Sequence, residues 1–460
     1  MAKKKQIELT IEEKLQNALV PKEEQPYKIP NNWCWVRLDF LLKEICNGTT
    51  IKQNKEGKTA RVTRIESLQN NTIDFNRIGN IVNESLIKDK DWYIEGDIIV
   101  SHINSIEHVG KSAVITRDML PLVHGMNLLR LRLNNICNSQ FFQLYTRTTD
   151  YKKSIVNRVN RAVNQVSINQ KQLCSLEIPI TNLKEQQRIV NRIESLFVKL
   201  DRAKELIENT LAQFEQNKMA ILHKAFTGEL TAKWRKENNI DLSSWKEKTI
   251  DELCTSLKYG TSKKSKPEGS VVVLRMGNLQ NGEIDWSNLM YTDDKEDIEK
   301  YLLKKGDVLF NRTNGSADLI GKTSIYRGEY PAIYAGYLIK LDYGKDIIGE
   351  YLNYIMNSNK ARAYCNKIKS SGASQFNINA KKIGAFEIPV PTIEEQQEIV
   401  NILDKLLAKY NKIKNLEQQL EKIELLKKAI LAKAFRGELG TNNPDEESAE
   451  NLLKEILAEK

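Results

Sequence analysis

The chain carries one long pattern twice, about 210 residues apart. Glu177-Ile178-Pro179-Ile180-Thr181-Asn182-Leu183-Lys184-Glu185-Gln186-Gln187-Arg188-Ile189-Val190-Asn191 returns as Glu387-Ile388-Pro389-Val390-Pro391-Thr392-Ile393-Glu394-Glu395-Gln396-Gln397-Glu398-Ile399-Val400-Asn401. Further on, Lys224-Ala225-Phe226-Thr227-Gly228-Glu229-Leu230 returns as Lys433-Ala434-Phe435-Arg436-Gly437-Glu438-Leu439, with the offset reduced from 210 to 209. A repeat this long duplicates a whole domain and a helix, and is not the short period of a solenoid. Such a chain presents two similar working surfaces, so the residues of each are read against the other.

Between opening and closing motifs the pattern is helical. Apolar residues fall at Ile189, Ile193, Leu196, Leu200, Ala203, Ile207, Phe214 and Ile221, in steps of four and three, which is the seam of a coiled coil. Thr210 and Asn217 occupy polar seam positions, which fix register at some loss of stability. The second copy uses Ile399, Leu403, Leu406, Tyr410, Ile413, Leu416, Leu420, Ile423 and Ile430, and lacks one residue between Ile413 and Leu416. Asn182 with Glu185, and Thr392 with Glu395, predict N-terminal capping boxes. Gly228 and Gly437 predict left-handed C-caps. Each helix is expected to run ~45 residues, about 65 Å at 1.5 Å per residue, and to bury its stripe against the other as an antiparallel coiled coil.

Before each helix lies a mixed segment of roughly 150 residues, the size of one domain. The first begins near Trp33-Cys34-Trp35 and the second near Trp245-Lys246-Glu247. They agree only in places. Gly48-Thr49 answers Gly260-Thr261, Arg64–Asn70 answers Arg275–Asn281, and Gly96–Ser101 answers Gly306–Asn311. Val109-Gly110-Lys111 answers Ile320-Gly321-Lys322, and Gln165–Asn169 answers Gln375–Asn379. Short β-rich runs between Gly and Asn predict a compact β-rich domain. The fold class is therefore α+β, two β-rich domains separated by two long repeated helices, with an internal pseudo-two-fold repeat. The expected divisions are an N-terminal arm 1–30, a first domain 31–181, a central helix 182–236, a second domain 237–391, a distal helix 392–437 and a tail helix 438–460. Matched stretches read as scaffold. The unmatched ones (102–108 against 312–319, 155–164 against 365–374, and the loop after Thr50) read as two different recognition surfaces on one scaffold.

With 460 residues and 28% charged side chains, the chain has room for two or three soluble domains. Its formal net charge of +10 fits a polyanionic partner. No apolar run approaches the ~18–20 residues of a membrane span. Met1-Ala2-Lys3-Lys4-Lys5-Gln6 leads into no apolar stretch, so no secretory signal is read there, and a cytoplasmic location is expected. The six cysteines are scattered without a C-x-x-C pair, which points to free thiols rather than zinc or disulfides. Gly315-Ser316-Ala317-Asp318-Leu319-Ile320-Gly321-Lys322-Thr323 has five residues between its glycines where a P-loop has four, and reads as a scaffold turn. His102 and His108 bracket Ser105 and Glu107 on an unmatched loop, and read as DNA- or solvent-facing rather than catalytic.

The plan resembles the specificity subunit of type I DNA restriction–modification systems. The resemblance rests on the duplicated Ile-Pro-(Ile/Val)-x-(Asn/Thr)-x-x-Glu-Gln-Gln-x-Ile-Val opening and the Lys-Ala-Phe-x-Gly-Glu-Leu closing. It extends to Thr231-Ala232-Lys233-Trp234-Arg235, to the arm Leu15–Pro21, to Ile29-Pro30-Asn31-Asn32-Trp33 and to the tail Asn443–Ile456. After the second closing motif the chain turns to Gly440-Thr441, where the repeat is expected to end. The resemblance implies two target recognition domains, each reading one half of a split double-stranded DNA site, with the helices setting the spacer. It implies two methyltransferase (M) subunits docked on the helices and restriction (R) subunits joining them. S-adenosylmethionine, ATP and Mg would reside in those partners, with no cofactor, metal or catalytic residue in this chain and no membrane contact. In agreement, none of the ten prolines adjoins another, so the Asn/Asp-Pro-Pro-aromatic motif of adenine methyltransferases is absent. Two alternatives remain open at this point. One is a catalytic fragment of a methyltransferase–nuclease fusion, which S-adenosylmethionine binding would reveal. The other is a coiled-coil protein binding DNA without sequence preference.

Base reading needs forked donors and acceptors, and phosphate contact needs Lys, Arg and hydroxyls. On that chemistry the DNA-binding candidates of the first domain are Ser101, His102, Asn104, Lys111, Arg158, Arg161, Asn164 and Gln165. Those of the second are Lys258, Tyr259, Lys263, Lys264, Asn311, Arg312, Asn314, Lys369, Ser370, Ser371, Ser374 and Gln375. Arg64 and Arg275 sit in matched scaffold and read as phosphate or structural ion-pair residues.

Overall fold

A computed structural model describes residues 10–54, 60–163, 165–316, 319–371, 375–408 and 414–459. The chain divides into two compact units, Met1–Leu206 with Gln418–Lys460, and Ile207–Glu417. Each unit thus holds one β-rich domain, the beginning of the helix that follows it, and the closing motif of the other helix.

Both domains are built on a four-stranded antiparallel sheet of the same order. In the first unit it runs Ser112–Val114, Ile98–Ser101, Leu128–Leu133, Leu42–Asn47. In the second it runs Thr323–Ile325, Val308–Asn311, Leu338–Tyr343, Cys254–Tyr259. The register agrees too: Ile99 lies between Ala113 and Arg130, and Leu309 between Ser324 and Lys340. Both faces are covered, so successive side chains enter different cores. Ile98, Val100, Leu129 and Leu131 pack with Phe141, Phe142, Ile189, Val190 and Ile193, while Ile99 and Leu128 pack with Leu68, Ile73 and Leu122. The second unit repeats this with Val308, Phe310 and Ile339 against Tyr351, Leu352, Ile399 and Leu403, and Leu309 and Leu338 against Val272, Leu274 and Tyr334.

The central helix spans Leu183–Phe226, 44 residues, close to its expected length. The distal repeat is described as Ile393–Ala408 and Lys414–Ala434; the seam positions Tyr410 and Ile413 lie outside the described residues. Along the central helix Leu196, Leu200, Ala203, Ile207 and Phe214 are half-buried while Val198 and Leu206 are exposed, one stripe as the spacing predicts. Within the first unit Asp201 meets Lys427 at 2.5 Å and Lys204 meets Glu424 at 3.3 Å. Rising numbers on one segment face falling numbers on the other, so these segments run antiparallel.

The repeated Glu-Gln-Gln fastens helix to domain. Gln186 and Gln396 are fully buried. Gln186 donates to the carbonyls of Ile136 and Thr181, both at 2.7 Å, and accepts from the Asn138 amide at 2.8 Å. Gln396 donates to those of Asp346 and Pro391, both at 3.0 Å, and accepts from the Ile348 amide at 2.9 Å. The capping boxes are made only in part. Asn182 and Thr392 accept from the amides of Glu185 and Glu395, but the two glutamates do not reach back. Glu395 accepts from Thr231 Oγ1 at 2.6 Å, Arg235 Nη1 at 2.6 Å and Trp245 Nε1 at 2.9 Å. Glu185 accepts from Arg188 at 2.6 Å and Thr441 Oγ1 at 2.8 Å. Thr441 therefore fills the place of Thr231, and the repeat persists in role beyond Gly440, where the sequence motif stops. Gly228 (φ +82°) and Gly437 (φ +75°) adopt the left-handed conformation expected after each helix.

The arm helix Ile11–Ala18 and the tail helix Ala449–Glu459 join in the first unit, where Leu15 and Ala18 share a core with Leu453 and Leu457. No helix among the described residues is long and apolar enough to cross a membrane.

Candidate nucleic-acid interface

In each domain a small three-stranded sheet joins candidate residues that lie far apart in sequence. In the first, Ile103–Asn104 pairs with Gln165–Ser167, which pairs with Asn160–Ala162. In the second, Thr313–Asn314 pairs with Phe376–Asn377, which pairs with Ser370–Ser371. The short strand follows one residue after the buried central strand that ends at Ser101 or Asn311, so a rigid element aims it. The Gly-Lys motif helps shape the same place. Gly110 (φ +82°) and Gly321 (φ +87°) donate their amides to the carbonyls of Ser101 and Asn311, at 2.8 and 2.9 Å. A side chain there would be strained and would meet Ile155 or Cys365, so these glycines form turns of the scaffold.

Beside the first sheet lies an open cleft of about 530 Å³. Its lining includes Glu66, Gln69, Ser101, Asn104, Ser105, His108, Lys111 and Gln165. The fold thus brings together Ser101, Asn104, Lys111 and Gln165 of the candidates. Ser101 is buried and its hydroxyl accepts from Asn104 Nδ2 at 3.1 Å, so it orients Asn104. Arg161 lies exposed on the outer strand. His102 is half-buried, with Nδ1 lacking a hydrogen-bond partner and burial lowering its pKa, which favours a neutral imidazole. Asn164 lies outside the described residues. Arg158 is a correction. Its guanidinium pairs with the buried Glu177 and donates to Ser154 Oγ at 2.6 Å, so it ties the helix Thr149–Val156 to the strand Glu177–Ile180 and is not a free reader.

In the second domain Arg312, Asn314, Lys369, Ser370, Ser371 and Gln375 gather around the matching sheet. Arg312 stacks over Tyr259, 5.1 Å from the ring centroid, and Tyr259 accepts from the Ala380 amide at 2.8 Å. Lys369 stands 5.3 Å from the Phe376 ring centroid, and Ser370 accepts from Lys382 at 2.8 Å. Lys258 is exposed but paired with Asp342 at 2.8 Å, and Lys264 is exposed. Ser374 lies outside the described residues. Two further corrections follow. Asn311 is fully buried and donates to the Leu319 carbonyl at 3.1 Å, so it holds the loop and offers nothing outward. Lys263 faces Asp294 at 2.8 Å, Glu296 at 3.4 Å and Asp297 at 3.6 Å. Those carboxylates hold its pKa up, the Asp294 hydrogen bond most of all, and cancel the charge a phosphate would seek.

Glu66, Gln69 and Ser105 were not singled out by sequence. Glu66 and Gln69 sit in the matched run Arg64–Asn70, which reads as scaffold; the signal available was the exchange of Glu66 for Gly277 within it. Arg64 itself ion-pairs with Glu66 at 3.0 Å, and Arg275 donates to the Asn288 carbonyl at 2.7 Å. Among the described residues no group of His, Cys, Asp and Glu is arranged to hold a metal ion.

Comparison with known proteins agrees with this architecture. The type I restriction modification DNA specificity domain matches residues 31–215 and again 243–425. The chain is 28% identical over 457 residues to the type I restriction enzyme EcoKI specificity subunit of Escherichia coli K12, covering 94% of this chain and 96% of that one. It is 30% identical to the putative type I restriction enzyme MjaX specificity subunit of Methanocaldococcus jannaschii, covering 90% and 95%. Among solved structures, a chain described under complex assembly and conformational transition of the type I restriction–modification system superposes with a TM-score of 0.65 at 18% identity, covering 90% of this chain and all of that one. The HsdS subunit from Thermoanaerobacter tengcongensis gives 0.51 at 19% identity over the same shares. The chain belongs to the type I restriction–modification DNA specificity family.

Proposed function

We propose that this family member is the DNA-reading subunit of a type I restriction–modification complex, each β-rich domain recognising one half of a split double-stranded target. The observation that carries this reading is one scaffold built twice, whose matching three-stranded sheets share Asn104/Asn314 and Gln165/Gln375 but differ around them, as at Arg161 against Ser371. Arg161 and the Asn104–Gln165 cleft serve one half-site. Arg312, Asn314, Gln375 and the hydroxyls of Ser370 and Ser371 serve the other. A forked pair between such a side chain and a base gives about 1–3 kcal/mol of discrimination. Lysines and hydroxyls at the rim hold phosphates and set register.

The two long helices, packed as an antiparallel coiled coil, separate the half-sites and offer outer faces to two methyltransferase subunits, with restriction subunits joining these. The antiparallel ion pairs Asp201–Lys427 and Lys204–Glu424 and the half-buried stripe support the antiparallel packing. Methyl transfer with S-adenosylmethionine, and ATP- and Mg-dependent cleavage, belong to those partners in the cytoplasm, while this chain supplies the address. Co-expression with the methyltransferase subunit, followed by single-molecule sequencing of methylated adenines, tests the reading. A single split motif with a fixed spacer, lost on deleting this chain, is expected. A motif indifferent to the chain overturns it.

A further inference from the structure

The cleft of the first domain holds a carboxylate whose matched position in the second domain is a glycine. Several of its polar side chains recur at matched positions: Gln69 as Gln280, Asn104 as Asn314, Lys111 as Lys322 and Gln165 as Gln375. Residues shared by both domains do not distinguish two different half-sites. Glu66 is not shared. It sits in the turn Ile65–Ser67, and the matching turn Met276–Asn278 places Gly277 there. The two turns are closed alike, by Ser67 accepting from the Arg64 amide at 3.1 Å and Asn278 from the Arg275 amide at 3.0 Å. A Cβ on Gly277 would meet nothing within 4 Å, so that position is open space.

Glu66 is half-exposed at the cleft. Arg64 Nε holds its Oε1 at 3.0 Å, and its Oε2 has no hydrogen-bond partner among the described residues. A carboxylate in a surface that meets phosphates weakens binding unless it accepts from a donor. The major groove offers such donors as exocyclic amines. Glu pairs there with the N4 amine of cytosine, whereas Asn and Gln pair with both N6 and N7 of adenine, a task for which the cleft already has Gln69, Asn104 and Gln165. We propose that Glu66 is a specificity-determining residue, accepting a hydrogen bond from a cytosine N4 in the first half-site, and that Gly277 leaves the second half-site without this demand. The inference rests on the DNA-reading function above.

The methylomes of complexes carrying the wild-type chain, Glu66→Gln, Glu66→Ala and Gly277→Glu test it. If the wild type yields no split motif, the underlying reading falls, and it falls separately from this inference. Given a wild-type motif, both Glu66 variants are expected to relax one cytosine position in one half-site. Discrimination there should drop about fivefold to a hundredfold, with the other half-site and the spacer unchanged. Gly277→Glu is expected to add a cytosine preference to the other half-site. The inference is overturned if the Glu66 variants keep the wild-type motif, relax an adenine position instead, or alter both halves. Complete loss of methylation with an unchanged melting temperature overturns it as well. If the Glu66 variants melt early, Gly277→Glu decides, and an unaltered second half-site then sinks it.

Discussion

His124 is fully buried, with Nε2 3.0 Å from the Leu128 carbonyl oxygen. Burial, more than any other cause, drives its pKa down to about 3, while the unfolded chain takes up that proton near about 6.5. The folded state therefore keeps the neutral ring, and the stability this confers is complete above the unfolded pKa. It is lost as pH falls from there toward the folded value, by up to about 1.4 kcal/mol per pH unit. Urea midpoints measured between pH 7 and pH 5 should fall steeply for the wild type and less steeply for His124→Gln. Parallel slopes would assign the acid sensitivity to another group. The wider lesson at this scale concerns polar letters chosen for their chemistry alone. Asn104 and Asn311 looked alike in sequence, yet one lines a cleft and the other is sealed inside. Arg158 and Lys263 looked like DNA ligands, yet each has an acid as partner.

Elements were more legible, because their signals are local. The four-and-three spacing gave the central helix and its stripe, and the glycine within each closing motif gave its left-handed stop. The glutamate of the opening motif was read as a helix cap, a contact three residues away. The structure turns it toward the segment just past the closing motif of the other helix, at Thr231 and Arg235 for Glu395 and at Thr441 for Glu185. Glu395 is completely buried and Arg235 nearly so, so Glu395→Ala leaves an uncompensated guanidinium. A loss of about 3–5 kcal/mol is expected, because breaking one side of a buried pair strands the other charge. Gln397→Ala, at an exposed side chain two positions on, should stay within about 0.5 kcal/mol. Chemical denaturation of the two variants measures the difference, and equal midpoints would remove Glu395 from the joint.

At the scale of the whole molecule, duplication with diverged surfaces implies modular recognition. Replacing residues 245–380 with those of a relative should change one half-site and leave the other, as read by the methylome. Altered recognition of both halves would count against independent domains. Inserting four residues between 200 and 220 adds roughly 6 Å of helix, one or two base pairs at about 3.4 Å each. The spacer should lengthen accordingly with both half-sites retained, and an unchanged spacer at full activity would refute the ruler. By itself the sequence determined the repeat, the two domains and the helices, because periodicity, caps and duplication are written in neighbouring residues. Only the tertiary structure decided which polar side chains remain available to DNA. Arg158 meets Glu177 and Lys263 meets Asp294, while Glu66, Asn104 and Gln165, far apart in sequence, come to line a single cleft. A side chain's charge is intrinsic, but its availability depends on what the fold places within hydrogen-bond reach.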